Sequence, residues 1–440
     1  MPFTRRDFLK RGALFLAMGV TAPTFLTRTA QVLAEEDDAC MTGPNVKRVL
    51  VVIQLGGGND GLNNVVPYGD PLYYKARPTL AVKQSDVLPL TDYIGLNPNL
   101  TPLKALYDEG HAAIIQAVGY PNPNRSHFRS TDIWTSGRPD IVEQTGWLGR
   151  YIDNTCSGED RPLYAVDAAD TVSKLFWTGH SIVPAISSIA NFDFLTDGRF
   201  PNDRNNQIEA LKLLNNGASG HDYNDYVRRA ALDALDTSDQ LKKVAASYRS
   251  TVQYPNTGFA RGLQMIAKLI NADLGTRIFH ITIGGFDTHA GQSRTHGLLL
   301  KTVAEGAQAF LRDIEGFGRA DDVMLMTFSE FGRRVMENGS QGTDHGTAAP
   351  LYIMGGGMNP GVFGDAPSLA DLDSNGDLKF KLDFRSVYGT LVQDWLGGDT
   401  TNIIGAGSFP RIGFVRAPAS TGRASDEQAS RAAVAALAAK

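Results

Sequence analysis

The residues of this chain that could do chemistry are acids and histidines beside short apolar runs. Asp287 and His289 come directly after the run 278–283, two positions apart. Four such runs have an acid or a histidine at one end, and the candidate ligands are Asp60, Asp287, His289, Glu330 and His345. Carboxylates and imidazoles without cysteine thiolates suit zinc, manganese or a similar divalent cation. The pattern therefore predicts a metal site.

A serine at the start of a predicted helix adds a candidate nucleophile. Ser126 follows the apolar run 112–118 through a turn rich in proline and asparagine. Serine in this position is first of all a helix N-cap, but the helix N–H groups there would also stabilise an oxyanion or a phosphate. Arg125 and Arg129 add positive charge for an anionic group. The two interpretations are compatible.

Apolar runs alternate with segments of helical periodicity, which predicts an α/β fold with a mostly parallel central sheet. The predicted strands are 48–55, 112–118, 278–283, 323–328 and 351–354, and the predicted helices are 222–247, 259–273, 295–314 and 384–396. In such sheets functional groups lie on loops at the carboxyl ends of the strands. The candidate residues should therefore gather at one edge of the sheet.

Composition limits the function classes. The chain has 440 residues, of which 42% are hydrophobic, and 42 basic residues against 47 acidic ones give a formal charge of −5. This is ordinary globular composition without the basic surplus of a nucleic-acid binder. Cys40 and Cys156 could pair in an oxidising compartment, but two cysteines form neither a disulfide framework nor a zinc–thiolate site.

The first residues resemble an export signal. Arg5 and Arg6 precede a moderately apolar segment at 12–26, and small residues lead to a cleavage site near Ala34. This order is typical of a twin-arginine secretory signal, although a basic amphipathic helix is the alternative. We expect residues 1–34 to be removed and the protein to reach the periplasm or the exterior, with the twin-arginine translocase as a partner. Pro23 and the short apolar run argue against a stable membrane span.

The order of these motifs resembles the alkaline phosphatase superfamily, and the chain more closely resembles the exported DUF1501 family over roughly residues 47–415. The motifs that carry the resemblance are GGNDGLN (57–63), VPY (66–68), RSHF (125–128), GFDTH (285–289), SEFGR (329–333) and TDHG (343–346). The resemblance implies an alkaline-phosphatase-like three-layer sandwich. We interpret residues 190–255 as an inserted helical cap and 417–440 as a polar, alanine-rich tail.

The resemblance also implies roles for individual residues. Asp60 resembles the metal-binding aspartate after the first strand, and Ser126 resembles the metal-bound nucleophile at a helix start. Asp287 and His289 resemble the ligand pair of one metal, and His345 resembles the late histidine ligand. One or two divalent ions are implied as cofactors, and the carboxylate and imidazole donors suit zinc or manganese.

One position departs from the superfamily pattern. Where superfamily phosphatases have adjacent aspartate and histidine after a strand, this chain has Glu330 and Phe331. Glutamate can replace aspartate as a ligand, but phenylalanine cannot replace histidine. His127 or His296 would be needed to restore the number of ligands for two ions.

The function implied is metal-dependent hydrolysis of phosphate or sulfate esters, on a small molecule or a surface polymer. Ser126 would be the nucleophile, and Arg125 or Arg333 would neutralise charge on the transferred group. The alternative, favoured by Phe331, is a catalytically degenerate relative that serves binding or assembly at the cell surface. A redox protein is the residual option, but the glycine-rich turn 56–63 lacks the spacing of nucleotide-binding motifs.

Overall fold

The computed structural model describes residues 45, 47–155, 163–179, 183–189, 200, 202–216, 228, 241 and 248–416. The predicted signal at 1–34, both cysteines, the tail at 417–440 and most of the predicted cap at 190–255 lie outside these residues, as does nearly all of the predicted helix 222–247. No helix within the described ranges is long and apolar enough to cross a membrane.

The described strands are β1 (Val49–Leu55), β2 (Val65–Val66), β3 (Leu88–Pro89), β4 (Gly95–Leu96), β5 (Ala112–Gly119), β6 (Ala165–Asp167), β7 (Ile278–Ile283), β8 (Val323–Phe328), β9 (Ala349–Gly355), β10 (Gly361–Phe363) and β11 (Leu382–Asp383). The described α-helices are α1 (Pro71–Ala76), α2 (Thr101–Asp108), α3 (His127–Ser136), α4 (Trp147–Thr155), α5 (Asp203–Asn215), α6 (Gly258–Asn271), α7 (Gln292–Gly316) and α8 (Phe384–Thr390). Short 3-10 turns lie at Gly61–Asn63, Gln84–Asp86, Pro98–Leu100, Lys174–Phe176 and Ala320–Asp322, and a π turn continues α8 at Leu391–Trp395.

The main sheet has the strand order β10-β5-β9-β8-β1-β7-β6, and β11 also pairs with β5. The central strand β1 is parallel to both of its neighbours, β7 and β8. The mostly parallel α/β fold predicted from the sequence is thereby confirmed, and β7 and β8 have the predicted bounds. Of the predicted helices, 259–273 and 295–314 correspond to α6 and α7.

Both faces of β1 are buried over Val49–Ile53, which explains the run of five apolar residues there. Val51 and Ile53 pack in one apolar cluster with residues of α6 and α7. Leu50 and Val52 pack in a second cluster with residues of α3, α4 and α8. The sheet is therefore the middle of three layers.

The direction of β9 brings one more loop to the edge where the candidate residues gather. β9 is antiparallel to β8 and to β5. The start of β9 therefore lies at the edge where β1, β7 and β8 end. As a result, residues 343–347, which precede β9, meet the loops that follow the other three strands.

Glycines allow these loops to approach closely. Gly57 has a φ of +119°, and a Cβ atom there would lie 2.5 Å from the backbone nitrogen of Asp287. Gly58 has a φ of +76°, and a Cβ atom there would lie 2.2 Å from the ring of Phe331. The glycines of the turn after β1 thus allow its backbone to lie close to the backbone after β7 and to the ring of Phe331.

Replacing Gly58 with alanine tests this packing. We expect the free energy of unfolding to fall by about 2–4 kcal/mol, because strain at positive φ adds to the overlap with the buried Phe331 ring. Urea unfolding followed by circular dichroism measures the loss. Gly284→Ala is the matched control, since a Cβ there would meet no described atom within 4 Å. Its effect should stay within about 0.5 kcal/mol, and equal losses in both variants would contradict the explanation.

Candidate metal centre and adjoining cleft

Three histidine side chains converge on the carboxylate of Asp287. Nε2 of His289 is 3.0 Å from Asp287 Oδ1, and Nε2 of His345 is 3.2 Å from the same oxygen. Nε2 of His127 is 3.5 Å from Asp287 Oδ2. The ligand atoms of His127, Asp287 and His345 all lie within 4.8 Å of one another, and Nε2 of His289 is 2.9 Å from Nε2 of His345.

Hydrogen bonds at the opposite ring nitrogens orient these imidazoles. Each Nδ1 is bonded to a carboxylate or carbonyl oxygen, which can only accept, so each Nδ1 carries the proton. The three bonds are His127 Nδ1 to Glu330 Oε1 (2.8 Å), His289 Nδ1 to Asp344 Oδ1 (2.9 Å) and His345 Nδ1 to the Arg125 carbonyl (2.8 Å). Each ring is thereby turned so that its Nε2 faces Asp287, and Nε2 is the atom that would bind a cation.

These donors fit a divalent cation. The imidazole nitrogens of His127 and His345 and a carboxylate oxygen of Asp287 form a mutually close set, and His289 adds a third imidazole that contacts two of its members. Zinc and similar cations prefer donors of these kinds. Histidine ligands characteristically donate their other N–H to a carboxylate or carbonyl. Nε2 of His127 is also buried and has no hydrogen-bond partner among the described residues. The structure thus contains a candidate His/Asp metal site, which we call the His₃Asp site (His127, Asp287, His289 and His345).

The carboxylate of Asp287 is held in its charged form. Burial by itself would raise its pKa, but the hydrogen bond and charge of Arg333, aided by His345 and His289, lower the pKa to about 2. At neutral pH the site therefore offers an anionic oxygen together with imidazole nitrogens.

Glu330 lies beside the His₃Asp site rather than within it. Its Oε1 accepts hydrogen bonds from His127 Nδ1 and from the backbone N–H of Gly57, each at 2.8 Å. The side chain is only 3% exposed. Glu330, predicted from the sequence as a ligand, is thus placed to orient a ligand. The ring of the next residue, Phe331, packs against the rings of His127 and His345.

Arg333 has its guanidinium buried among the loops. Nη2 donates to Asp287 Oδ1 at 2.6 Å and to the carbonyls of Gly57 and Phe286. Nε donates to the Gly58 carbonyl at 2.6 Å, and Nη1 donates to the Thr343 carbonyl at 2.8 Å. The side chain is 0% exposed. Arg333, predicted to neutralise charge on a substrate, is therefore buried and contacts the site through Asp287 Oδ1 and, at 3.5 Å, through Nε2 of His289.

Asp60 is buried among other partners. One of its oxygens accepts hydrogen bonds from Arg77 and Gln292. Although burial would raise the pKa of Asp60, Arg77 keeps it below its usual value. Nearby, burial lowers the pKa of His296 to about 4, and its Nε2 bonds to the Asn59 side chain. Neither Asp60 nor His296 belongs to the His₃Asp site.

Ser126 is exposed and lies between two residues that touch the site. Ser126 is the N-cap of α3, but its hydroxyl makes no capping hydrogen bond to the described chain. The next residue, His127, points Nε2 at Asp287, and the carbonyl of the preceding Arg125 bonds to His345. The hydroxyl is therefore available for another use.

An open cleft of about 400 Å³ adjoins the site, and its lining residues are Arg125, His289, Arg334, Asp344, His345 and Asn375. Sequence reasoning missed the contributions of Arg334, Asp344 and Asn375, and it offered His127 only as a supplementary ligand. Asp344 and His127 did carry a signal, because each is adjacent to a candidate residue in the sequence. No motif drew attention to Asn375.

The model of the DUF1501 family, described as a protein of unknown function, matches residues 106–388. The chain belongs to this family. The match begins after β1 and its glycine-rich turn, although both form part of the same sheet and site. No curated protein sequence matches the chain.

Several solved structures are similar to this chain at low sequence identity. Lipoteichoic acid synthase LtaP from Listeria monocytogenes is 9% identical, with 80% of this chain and 73% of that chain covered and a TM-score of 0.37. A protein in the alkaline phosphatase superfamily from Vibrio parahaemolyticus is 11% identical, with 86% and 78% covered and a TM-score of 0.33. Phosphonate monoester hydrolase SpPMH from Silicibacter pomeroyi is 10% identical, with 83% and 75% covered and a TM-score of 0.36.

Metal binding can be tested at the imidazoles. We expect His345→Ala and His127→Ala each to weaken zinc binding at least about tenfold, because each removes one of four converging donors. Calorimetric titration of the metal-free protein measures the affinity. His111→Ala is the control, since His111 lies directly before β5 and outside the ligand set. Unchanged zinc affinity in both site variants would contradict the His₃Asp site.

Asp60→Asn separates a structural role from a ligand role. Removing the charge that pairs with buried Arg77 should lower the free energy of unfolding by about 3–5 kcal/mol, while zinc stoichiometry stays unchanged. Urea unfolding and elemental analysis measure the two effects. Asp108→Asn, at an exposed pair with Lys104, should cost less than about 1 kcal/mol. Loss of zinc with stability preserved would identify Asp60 as a ligand instead.

Proposed function

We propose that the protein is a metal-dependent hydrolase of phosphate or sulfate esters that uses Ser126 as its nucleophile. The observation that carries the proposal is the position of Ser126, whose uncapped hydroxyl lies directly before a histidine of the His₃Asp site. An exposed serine whose two chain neighbours both touch a set of imidazole and carboxylate donors supports phosphoryl or sulfuryl transfer through a covalent serine intermediate.

Each residue has a definite task in this proposal. A divalent cation held by the four donors would lower the pKa of a nearby hydroxyl and attract the oxygens of a tetrahedral ester. Ser126 would lose its proton to solvent and attack the phosphorus or sulfur atom while the bond to the alcohol oxygen breaks, and the alcohol would leave with a proton from water. A second water molecule would then attack the serine ester, release the phosphate or sulfate product and restore the hydroxyl. The N-terminus of α3 fixes the position of Ser126. Arg125 and Arg334, which line the cleft, donate N–H groups to the remaining ester oxygens. Arg333 keeps Asp287 ionised and in place.

Export belongs to the same proposal. The proposal of export rests on Arg5 and Arg6 before a short apolar segment and on a cleavage site near Ala34. This order is typical of twin-arginine signals. A periplasmic or exported enzyme would meet ester groups of small molecules or of surface polymers.

A binding or assembly role without catalysis is the second candidate. It is favoured by Phe331, whose buried ring packs on two histidines where a further metal ligand would be needed for a two-ion site. One ion held by the His₃Asp site is compatible with either candidate, so catalysis itself has to be measured.

Ser126→Ala distinguishes the two candidates. Hydrolysis of p-nitrophenyl esters by the zinc-loaded protein should fall at least about 10³-fold, since the nucleophile is lost. Zinc affinity and unfolding free energy should hardly change, because the hydroxyl makes no capping bond. Ser173→Ala is the control: it removes a serine that does cap a turn, at the backbone N–H of Leu175, and should leave activity per folded molecule intact. Activity retained by Ser126→Ala would exclude this mechanism.

A further inference from the structure

The charges around the cleft are unevenly balanced. Among the described residues, eight charged side chains line the cleft, belong to the His₃Asp site or bond directly to a residue of the cleft or of the site. They are Arg125, Arg333, Arg334, Asp287, Glu330, Asp344, Asp373 and Asp377. Three guanidinium groups against five carboxylates leave a net charge of −2. A histidine that binds a cation through Nε2 is neutral, so the three histidines add no charge to the cation-loaded set.

One divalent cation in the His₃Asp site would bring this set to neutrality. No positive charge would then be left over to balance a doubly charged ligand. A cleft with a strong cationic surplus attracts multiply charged anions, whereas a neutral cleft gives them no compensation for lost hydration.

The two arginines that line the cleft are already partly neutralised. Asp377, which is 0% exposed, bonds to Arg125 through Nε and Nη2 and to Arg334 through Nε. Oδ2 of Asp373 adds a contact to Arg125 at 3.3 Å. Both arginine side chains are still partly exposed, at 32% and 42%. Nη1 of each arginine has no hydrogen-bond partner in the described part of the chain.

We propose that the cleft selects its substrate by charge, and takes a tetrahedral ester with a single negative charge in preference to a doubly charged one. This inference rests on the proposed function and narrows its substrate class. Phosphodiesters and sulfate esters carry one charge, whereas a phosphate monoester carries close to two at slightly alkaline pH. The free N–H groups of Arg125 and Arg334 orient the anion, and the buried carboxylate of Asp377 limits the charge that they offer.

Binding of small anions tests this selection without any need for turnover. Calorimetry at pH 8 on the zinc-loaded protein compares dimethyl phosphate, a monoanion, with methyl phosphate, which is dianionic at that pH. We expect dimethyl phosphate to bind at least about tenfold more tightly. Equal affinities, tighter binding of methyl phosphate or binding of neither probe would overturn the inference.

Asp373→Asn tests the cause of the selection. Removing one carboxylate next to Arg125 raises the charge of the cleft by one unit. The preference for dimethyl phosphate should therefore fall about tenfold, the order of effect of one unit charge at short range in a partly solvated site. Asparagine keeps a side-chain oxygen for the backbone N–H groups of Asn375 and Asp377.

Asp371→Asn is the matched control for this variant. Asp371 is on the same loop, but it pairs with Lys379 rather than with an arginine of the cleft. The substitution changes the net charge of the protein by the same amount and should leave the preference unaltered. Identical shifts in the Asp371 and Asp373 variants would overturn the local explanation.

Hydrolysis assays test the proposed hydrolase and the charge selection separately. The substrates are p-nitrophenyl sulfate, bis(p-nitrophenyl) phosphate and p-nitrophenyl phosphate. Selective binding of the monoanion without turnover of any ester would contradict the proposed function and keep the charge selection. Turnover with p-nitrophenyl phosphate as the preferred substrate would support the hydrolase and overturn the charge selection.

Discussion

The buried guanidinium of Arg333 holds the loops of the candidate site in one arrangement. It donates to carbonyls of the loops that follow β1 and β7 and of the loop that precedes β9, and it also pairs with Asp287. A guanidinium has five N–H groups in a rigid plane, and all of them must be satisfied when water is excluded. The loops can meet these donors only in a restricted geometry. The position of Asp287, and with it the point at which the histidines converge, depends on this one side chain.

Hydrogen bonds at Nδ1 orient the imidazole rings around the carboxylate that Arg333 holds in place. A histidine in a loop could present either ring nitrogen to a cation. Glu330, Asp344 and a backbone carbonyl remove that freedom, because each accepts a proton from Nδ1. The orientation of the three rings is therefore set before any cation arrives, and less conformational entropy is lost on binding.

Charge links this site to its cleft. The carboxylates that orient ligands and arginines also set the electrostatic balance of the region, so structural and functional roles cannot be assigned to separate residues. Asp377 illustrates this: it anchors Arg125 and Arg334 and at the same time reduces the positive charge that they present. In this chain a single cation at the candidate site would contact the imidazole and carboxylate donors and would also balance the charge of the cleft.

Five strands of the main sheet, and the edge at which the candidate residues gather, could be predicted from the residue pattern. The run 323–328 is mainly apolar because both faces of the strand are buried, and an acid follows where the chain leaves the core. Which of these residues meet follows from the three-dimensional fold alone. His127 and Glu330 are 203 positions apart, and their hydrogen bond makes one a candidate ligand and the other its support. Likewise, the residues next to Arg333 in the sequence do not indicate that carbonyls from three loops surround its guanidinium. These roles follow from contacts between distant segments, which local residue patterns do not encode.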